Sequence, residues 1–161
     1  MNISIRKAIE KDYKNIKLVL DESDSIHLKE LPLIFKDPEG KSWKKEYVIG
    51  LVKNPESDIF LAEVDSEVVG VMVLIIKTCQ DLAILKPRKF VALDSISVAF
   101  EYQNMGIGKL LLKKMEEWAL EKKINQIELN VYEFNYNVIR LYESLGFRTY
   151  SRRMIKILNN E

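Results

Sequence analysis

From Asp94 to Lys109 the chain passes from an apolar run, through two closely spaced glycines, into a strongly helical stretch. The run from Phe90 to Val98 is almost continuously apolar, as expected of a strand that is buried on both faces. Gly106 and Gly108 let the backbone come close to a ligand, and the first amides of the following helix have no intrahelical acceptor. The segment therefore predicts a strand, a glycine turn and a helix whose N-terminus can bind an anion.

A second block of elements follows this helix. The helix carries an apolar stripe from Ile107 to Ala119, and the next apolar positions, from Ile127 to Val131, alternate with polar ones as in a strand. A short helix is predicted from Val138 to Leu145, ended by Gly146 as its C-cap. Strand, helix and strand thus follow in a βαβ order, which predicts a mixed α/β fold.

The remaining strands and helices are predicted from the spacing of apolar residues and from the positions of proline and glycine. Two hydrophobic runs around the polar connection Asp65-Ser66-Glu67 predict an antiparallel hairpin. We expect strands at 3–6, 58–64, 68–76, 147–150 and 152–158, helices at 10–20 and 43–52, and a loop at 78–89. Without an internal repeat, a low-complexity tract or a linker, residues 1–161 are predicted to form a single domain.

Length and composition exclude several classes of protein. A chain of 161 residues can bury a core of its own without a disulfide framework or a metal. Charged residues make up 30% of it, yet the net charge is only +1 and the signs are interspersed, which argues against nucleic-acid binding. The N-terminus has neither the apolar core of a signal peptide nor a run that could span a bilayer. We expect a soluble cytoplasmic protein that binds neither nucleic acid nor membrane.

The single cysteine permits one competing hypothesis, a thiol enzyme. Cys79 could be a nucleophile activated by His27, the only histidine. No third group of a catalytic triad accompanies the two residues in the sequence, so a buried or incidental thiol is the favoured interpretation.

The residues around the glycine turn also match a known pattern. Gln103-Asn-Met-Gly106-Ile-Gly108 is the complete acetyl-CoA signature of the GNAT acetyltransferase superfamily, and Val98 and Tyr102 occupy the positions that commonly precede it. A later block of that family appears as Asn135, Val138, Leu141-Tyr142 and Gly146-Phe147, with Val138 in place of alanine. The chain therefore resembles this superfamily over most of its C-terminal two thirds.

The resemblance implies a fold and a cofactor site. It implies a mostly antiparallel twisted sheet with a splayed parallel pair, 90–98 and 126–131, and about four helices. It also implies acetyl-CoA as cosubstrate, with no metal. Its pyrophosphate would be bound by Gln103, Asn104, Met105, Gly106, Ile107, Gly108 and Lys109, and its acetyl carbonyl would be polarised by a main-chain N–H among Ile96, Ser97 and Val98. Asn135 would hold the pantetheine arm or the backbone, unless it is only a helix N-cap.

Two residues are the candidates for proton transfer. The resemblance implies that Tyr142 protonates the departing thiolate, whereas the alternative is a tyrosine that merely packs in the core. Asp94 is the best candidate for the base that deprotonates the amine, since it lies on an otherwise apolar strand and, by the period of two, on the face of Val98. The alternative is an ion pair with Lys or Arg. Glu101 and Glu133 are weaker candidates.

The resemblance implies direct acetyl transfer to a primary amine of a small molecule or a peptide. Acidic residues between the first two helices would suit a cationic amine, or form only a solvated helix end: Asp21, Glu22, Asp24 and Glu30. His27, Pro32 and Phe35 could line an acceptor pocket.

Two alternatives of other classes remain. One is a non-catalytic acyl-CoA-binding regulatory domain of the same fold. The other is a nucleotide-binding α/β protein, although the chain has no Gly-Lys-Ser/Thr P-loop and Gly106-Ile-Gly108 lacks the third Rossmann glycine. The predicted strands at 147–158 could also pair or exchange between two copies, which would give a homodimer.

Overall fold

The structure is a computed structural model that describes residues 2–158. The chain divides into two compact units, Met1–Asn130 and Val131–Glu161. The helices and strands of the first unit are β1 Ile3–Lys7, α1 Tyr13–Glu30, α2 Lys45–Lys53, β2 Ser57–Val64, β3 Glu67–Cys79, β4 Arg88–Val98, α3 Ile107–Glu121 and β5 Ile127–Leu129. The second unit contains α4, Tyr136–Ser144.

The five strands form one sheet in the order β1-β2-β3-β4-β5. Strands β1 to β4 pair with one another in antiparallel fashion, and β5 lies parallel to β4. With four helices among the described residues, this arrangement confirms the predicted mixed α/β class and its parallel pair. The predicted hairpin is also confirmed, and both Asp65 and Ser66 adopt positive φ in its turn.

The glycine turn is held in place by the packing of α3 on the sheet. Ile107, the first residue of α3, is only 1% exposed, so its side chain anchors the start of the helix in the core. A Cβ added to Gly70 of β3 would lie 3.0 Å from the Ala62 Cβ and 3.3 Å from Ile107 Cγ2. Glycine at position 70 therefore permits the close approach that fixes the start of α3.

Several element boundaries differ from those predicted. Helix α1 continues to Glu30 rather than ending near Leu20, because residues 21–30 lack an apolar period yet still favour helix. An i,i+4 ion pair between Lys17 and Asp21 supports the extension. Strand β5 ends at Leu129, before the predicted Val131.

The two predicted C-terminal strands, 147–150 and 152–158, are wrong. Within the described part of the second unit, no strand forms after α4. The segment has strand-like composition, but a strand is stable only when its backbone groups are paired, and residues 131–158 offer it no partner strand. It leaves large apolar side chains exposed: Tyr150, Met154, Ile155, Ile157 and Leu158.

No helix within residues 2–158 is long and apolar enough to cross a bilayer. Over the same residues, no group of three or more His, Cys, Asp and Glu side chains is placed so that it could hold a metal ion.

Candidate active site

The first feature of the site is the separation of β4 from β5. Their parallel pairing begins at Val91↔Ile127 and ends at Leu93↔Leu129, although β4 continues to Val98. Among the described residues, β4 is therefore paired with β3 alone from Asp94 onward, and we call its other edge along 94–98 the open edge. This open edge is the splay that the resemblance implied.

A β-bulge marks the point where the two strands part. Val73 is opposite Ser95 and Leu74 is opposite Leu93, so Asp94 is an extra residue in β4 without a partner in β3. Asp94 is exposed, unlike the buried run of four residues before it. Because the bulge interrupts the alternation of side chains, the period-two argument that put Asp94 on the face of Val98 does not carry across it.

The pairing with β3 shows towards which edge each main-chain N–H group of β4 points beyond the bulge. The Ala99 N–H donates to the Val69 carbonyl at 2.8 Å, and Ser97 is opposite Val71 in the same register. Since N–H groups alternate along a strand, those of Ser97 and Ala99 point to β3, and those of Ile96 and Val98 point to the open edge. Neither of these two has an acceptor within the described residues.

This geometry distinguishes among the three residues proposed on β4. Gln103 Nε2 donates to the Val98 carbonyl at 3.0 Å, which ties the glycine turn to the end of the strand. The buried Ser97 hydroxyl donates to the Val19 carbonyl at 3.0 Å, so Ser97 links β4 to α1. Ile96 and Val98 offer free main-chain donors, whereas Ser97 uses its donors within the protein.

The glycine turn presents a run of free donors. Gly106 is the N-cap of α3 with φ 82°, and Asn104 also has a positive φ. The first hydrogen bond of α3 joins the Leu110 N–H to the Gly106 carbonyl at 3.2 Å. The N–H groups from Asn104 to Lys109 donate to no acceptor among the residues that the structure describes.

A phosphate group fits this turn. Donors in sequence at the positive end of a helix dipole favour an anion, and no acidic residue lies in the first turn of α3. A Cβ at Gly108 would meet nothing within 4 Å, and its φ is not left-handed, so the protein itself does not require glycine there. A glycine inside a helix costs about 1 kcal/mol relative to alanine. Close approach of a ligand to the backbone would explain it.

In the second unit, Tyr142 is positioned by the C-terminus of α4. The Gly146 N–H donates to the Glu143 carbonyl and the Phe147 N–H to the Tyr142 carbonyl, both at 3.0 Å, and Gly146 has φ 90°. These are the two bonds of a Schellman motif, which confirms Gly146 as the cap residue. The motif brings the Phe147 ring to within 5.6 Å of the Tyr142 ring.

The surroundings of Tyr142 keep its hydroxyl protonated. The side chain is 6% exposed, and its burial raises the pKa of the phenol to about 12. Removal from water disfavours the phenolate, so at neutral pH the group is a proton donor. Asn135 occupies the N-cap position of α4 but makes no side-chain capping hydrogen bond, which leaves its amide available.

The acidic residues of α1 are engaged in holding the segment between α1 and α2. Asp21 pairs with Lys17 at 2.7 Å and accepts from the Ser42 hydroxyl at 2.8 Å. Asp24 accepts from Trp43 Nε1 at 3.0 Å, and its burial raises the pKa of its carboxyl. Both carboxylates therefore stabilise the segment between α1 and α2. Neither of the two interpretations, amine binding or a solvated helix end, predicted this role.

Glu22 also has a structural contact, since it accepts a hydrogen bond from the Phe100 N–H at 3.1 Å. Of the other candidates, Glu30 and Glu101 are exposed. Glu133 forms an exposed ion pair with Arg152 at 3.5 Å.

The residues of the thiol hypothesis lie in different elements. Cys79 is the last residue of β3, and His27 lies in the last turn of α1, where its Nδ1 is 2.9 Å from the Ser23 carbonyl and its ring is 5.3 Å from that of Phe35.

The charge of Asp94 acts on one residue that the sequence did not indicate. Tyr47 of α2 is half exposed, and burial together with the negative charge of Asp94 raises the pKa of its phenol. Within residues 2–158, Asp94 forms no salt bridge, so the ion-pair alternative finds no support there. The sequence did not indicate Tyr47, because the effect of the Asp94 charge on it arises between elements that are distant in sequence.

Comparison with known proteins agrees with this geometry. The Acetyltransferase (GNAT) family model matches residues 20–147. An uncharacterized N-acetyltransferase of Methanocaldococcus jannaschii is 29% identical over 66% of this chain and 46% of its own length. The thialysine N-epsilon-acetyltransferase of Sus scrofa is 41% identical over 35% of this chain and 33% of its own length. The matches thus span less than half the length of these relatives.

A solved structure resembles the whole chain. The tetramutant of a Bacillus halodurans protein superimposes with a TM-score of 0.89 at 25% identity, over 96% of this chain and 99% of the other. The fold, the open edge of β4 and the glycine turn define an N-acetyltransferase-like α/β protein. With a family model matched over most of its length, the chain belongs to the GNAT acetyltransferase family.

Proposed function

We propose that the protein is an acetyl-CoA-dependent N-acetyltransferase that transfers an acetyl group directly to a primary amine of a small molecule or a peptide. The observation that carries the proposal is the run of N–H groups from 104 to 109, which have no acceptor within residues 2–158 and follow the open edge of β4. Family membership supports acetyl-CoA as the cosubstrate. It would supply an acetyl group activated as a thioester.

The proposal assigns a task to each part of the site. The free N–H groups of the glycine turn, with Lys109 nearby, would bind the pyrophosphate. The Val98 N–H, or that of Ile96, would donate to the acetyl carbonyl oxygen and stabilise the charge that develops there. The Asn135 amide would hold the pantetheine arm. All of these contacts position the cosubstrate or stabilise its charge. We propose that most of the rate acceleration comes from this positioning.

Proton transfer is assigned to two side chains. When the amine nitrogen bonds to the carbonyl carbon and the carbon–sulfur bond breaks, Tyr142 would give its proton to the sulfur. Asp94, or a water next to it, would take the proton that the amine loses. The phenol is protonated at neutral pH, as this role requires, and its raised pKa makes it a weaker acid than a free tyrosine.

The first test is acetyl-CoA binding by calorimetry, with Gly108→Glu compared with the native chain. The substitution should abolish binding, because a carboxylate and its side chain would occupy the position of the pyrophosphate. It should not unfold the protein: replacing glycine in a helix is favourable by up to about 1 kcal/mol, and an acid suits the first turn.

Gly50→Glu is the matched control for this test. Gly50 lies in helix α2, and a Cβ there also meets nothing within 4 Å. This variant should bind acetyl-CoA as tightly as the native chain does. If the native chain does not bind acetyl-CoA, or if both variants bind equally well, the cofactor site is assigned wrongly.

Acetylation of an amine panel then separates the enzyme from a non-catalytic acyl-CoA-binding domain. We expect turnover by the native chain and a fall of about 10²-fold in Tyr142→Phe, with acetyl-CoA affinity retained. Binding of acetyl-CoA without acetylation of any amine would favour the regulatory domain. The panel should include lysine analogues and diamines, because relatives are named for thialysine and for spermine or spermidine.

Self-association and domain organisation stay predictions. The exposed apolar segment 150–158 supports a homodimer, since it leaves apolar side chains in water. Light scattering at several concentrations tests this, and Ile155→Asp should shift the protein to monomer. A single cooperative unfolding transition of the chain would support one domain over residues 1–161.

A further inference from the structure

The segment that leads from β4 to the glycine turn has no buried residue. Every residue from 99 to 106 is exposed or half-buried, whereas Ser97 before the segment and Ile107 after it are buried. Packing in the core therefore fixes the two ends of the segment but not the residues between them. A segment with few buried contacts depends on its hydrogen bonds for order, and without them it is among the mobile parts of a protein.

One hydrogen bond to this segment comes from α1. The Phe100 N–H donates to Glu22 Oε2 at 3.1 Å, and Glu22 lies in α1. The same helix is joined to β4 by the hydrogen bond from the Ser97 hydroxyl to the Val19 carbonyl. Val19 and Glu22 are three positions apart, so they share the face of α1 that lies against the end of β4. Glu22 thus links the segment to a helix whose own position is fixed.

A second hydrogen bond comes from the start of β3. Glu67 is the first residue of β3, directly after the tight turn of the β2–β3 hairpin. The Tyr102 hydroxyl donates to Glu67 Oε2 at 3.0 Å, and this hydrogen bond raises the pKa of the phenol. The bond from the Ala99 N–H to the Val69 carbonyl, at 2.8 Å, aligns the segment with the same strand. Two carboxylates on different elements therefore hold the chain that precedes Asn104.

The charge of these two residues needs an explanation. Glu22 and Glu67 bind the segment next to a turn whose free N–H groups suit an anion, and negative charge close to such a turn would by itself weaken the binding of a phosphate. Their hydrogen bonds supply a gain that can offset this repulsion. Fixing the backbone of one residue costs about 1–2 kcal/mol, and a turn that is already ordered in the free protein avoids this cost when it binds a ligand.

We propose that Glu22 and Glu67 are positioning residues for the cofactor: they hold the segment before Asn104 from two sides, and so keep the free N–H groups of the glycine turn directed at the pyrophosphate of acetyl-CoA. The assignment rests on the proposed function and adds two residues to it. Neither residue needs to touch the cofactor, because each acts through the main chain or through Tyr102.

The first test compares removal of the Glu22 acceptor with its conservative replacement, by calorimetry with acetyl-CoA. Glu22→Ala should weaken binding about fivefold, whereas Glu22→Gln keeps an acceptor oxygen and should stay within about twofold of the native chain. Glu30→Ala is the matched control, since Glu30 is an exposed acid of the same helix, and it should bind as the native chain does. Native affinity in Glu22→Ala, or equal losses in the alanine and glutamine variants, would overturn the assignment of Glu22.

A double-mutant cycle tests Glu67 through its partner. Tyr102→Phe removes only the hydroxyl, and Glu67→Ala removes the acceptor. Each change should weaken acetyl-CoA binding about threefold, and the double variant should bind about as tightly as either single variant, because both changes break the same hydrogen bond. Losses that add in the double variant, or no loss in either single variant, would overturn the assignment of Glu67.

A measurement on the free protein separates this assignment from the proposed function. The ¹⁵N order parameters of the amides from 104 to 106 should fall in Glu22→Ala, from about 0.85 for a rigid backbone towards about 0.6, and should recover in Glu22→Gln. Those of β4 should stay unchanged, which shows that the variant is folded.

The two proposals fail in different ways. If the order parameters fall as expected but the native chain binds no acetyl-CoA, the carboxylates do fix the turn and the cofactor assignment fails. If the native chain binds acetyl-CoA while Glu22→Ala changes neither the order parameters nor the affinity, the cofactor site stands and the positioning role fails.

Discussion

The two halves of strand β4 have the same neighbour on one side and different surroundings on the other. The half from Arg88 to Leu93 reaches β5 on its second edge and contains four buried residues in succession. The half from Asp94 to Val98 begins with a bulge, has an open second edge and contains one buried residue, Ser97. The first half of β4 thus contributes buried side chains to the core, and the second half presents polar groups at its open edge.

The difference shows how a sheet can present main-chain donors to a ligand. A strand in the middle of a sheet uses its N–H groups on both edges, so it has none left for a substrate. Because β5 ends at Leu129, the N–H groups of Ile96 and Val98 have no acceptor among the described residues. The bulge at Asp94 adds a carboxylate at the boundary between the halves.

The two halves of β4 should differ most in how much their side chains contribute to the free energy of unfolding. Leu93→Ala removes a buried side chain from the paired half and should lower the free energy of unfolding by about 3 kcal/mol. Ile96→Ala, on the same face beyond the bulge, removes a half-buried side chain and should cost about half as much. Urea unfolding of both variants measures this, and equal losses would mean that the halves are packed alike.

Hydrogen exchange should separate the halves residue by residue. Amides from Val91 to Leu93 should exchange slowly, and those of Ile96 and Val98 faster by on the order of a hundredfold, because they have no acceptor. Acetyl-CoA should slow the exchange at Val98 and from 104 to 109. Equal protection of Ser97 and Val98 in the free protein would contradict the assigned main-chain directions.

The hydrogen bond from Gln103 to Val98 connects the glycine turn to the end of the open half of β4, and one substitution can remove it. Gln103→Met keeps the length of the side chain but loses the donor to the Val98 carbonyl. We expect a loss of about 0.5 kcal/mol in stability, because the site is exposed, and several-fold weaker acetyl-CoA binding as the turn loses a tether. Calorimetry against Lys113→Met, an exposed position on α3, provides the comparison.

The smallest effect concerns the charge at the bulge. Asp94→Asn should lower the pKa of Tyr47, because the charge that disfavours its phenolate is removed, while the contribution of burial remains. The phenol would then ionise at a lower pH than in the native chain. Titration of tyrosine resonances in protein with ¹³C-labelled tyrosine rings measures the shift, and an unchanged Tyr47 pKa would mean that the charge of Asp94 does not reach the phenol.

Much of this architecture could be predicted because it depends on local chemistry. The apolar run to Val98, the glycine turn and the cap at Gly146 each follow from residues that are adjacent in sequence. The hairpin through Asp65 and Ser66 follows in the same way. Local pattern also located the turn that precedes α3, since free amides are a property of any helix N-terminus, while cofactor binding by Gln103 to Lys109 stays a prediction.

Other features could not be predicted because they depend on pairing between distant segments. Segment 147–158 has the composition of strands but finds no partner in its unit, so composition alone led to the wrong assignment. The main-chain N–H of Ser97 was one of three predicted donors to the acetyl carbonyl, yet the register with β3 points it towards β3, and the Ser97 hydroxyl contacts α1. No local rule tells a serine which helix will lie above its strand.

The sequence by itself therefore determined the order of the elements, the position of the glycine turn and the residue types that can move protons, because these depend on short-range periodicity and backbone freedom. Only the tertiary structure decided which main-chain donors of β4 have no acceptor among the described residues, that Asp94 is a bulged residue, and that its charge acts on Tyr47. Those facts depend on the register between strands and on the packing of α2, and both are settled only when segments far apart in the chain compete for the same partners.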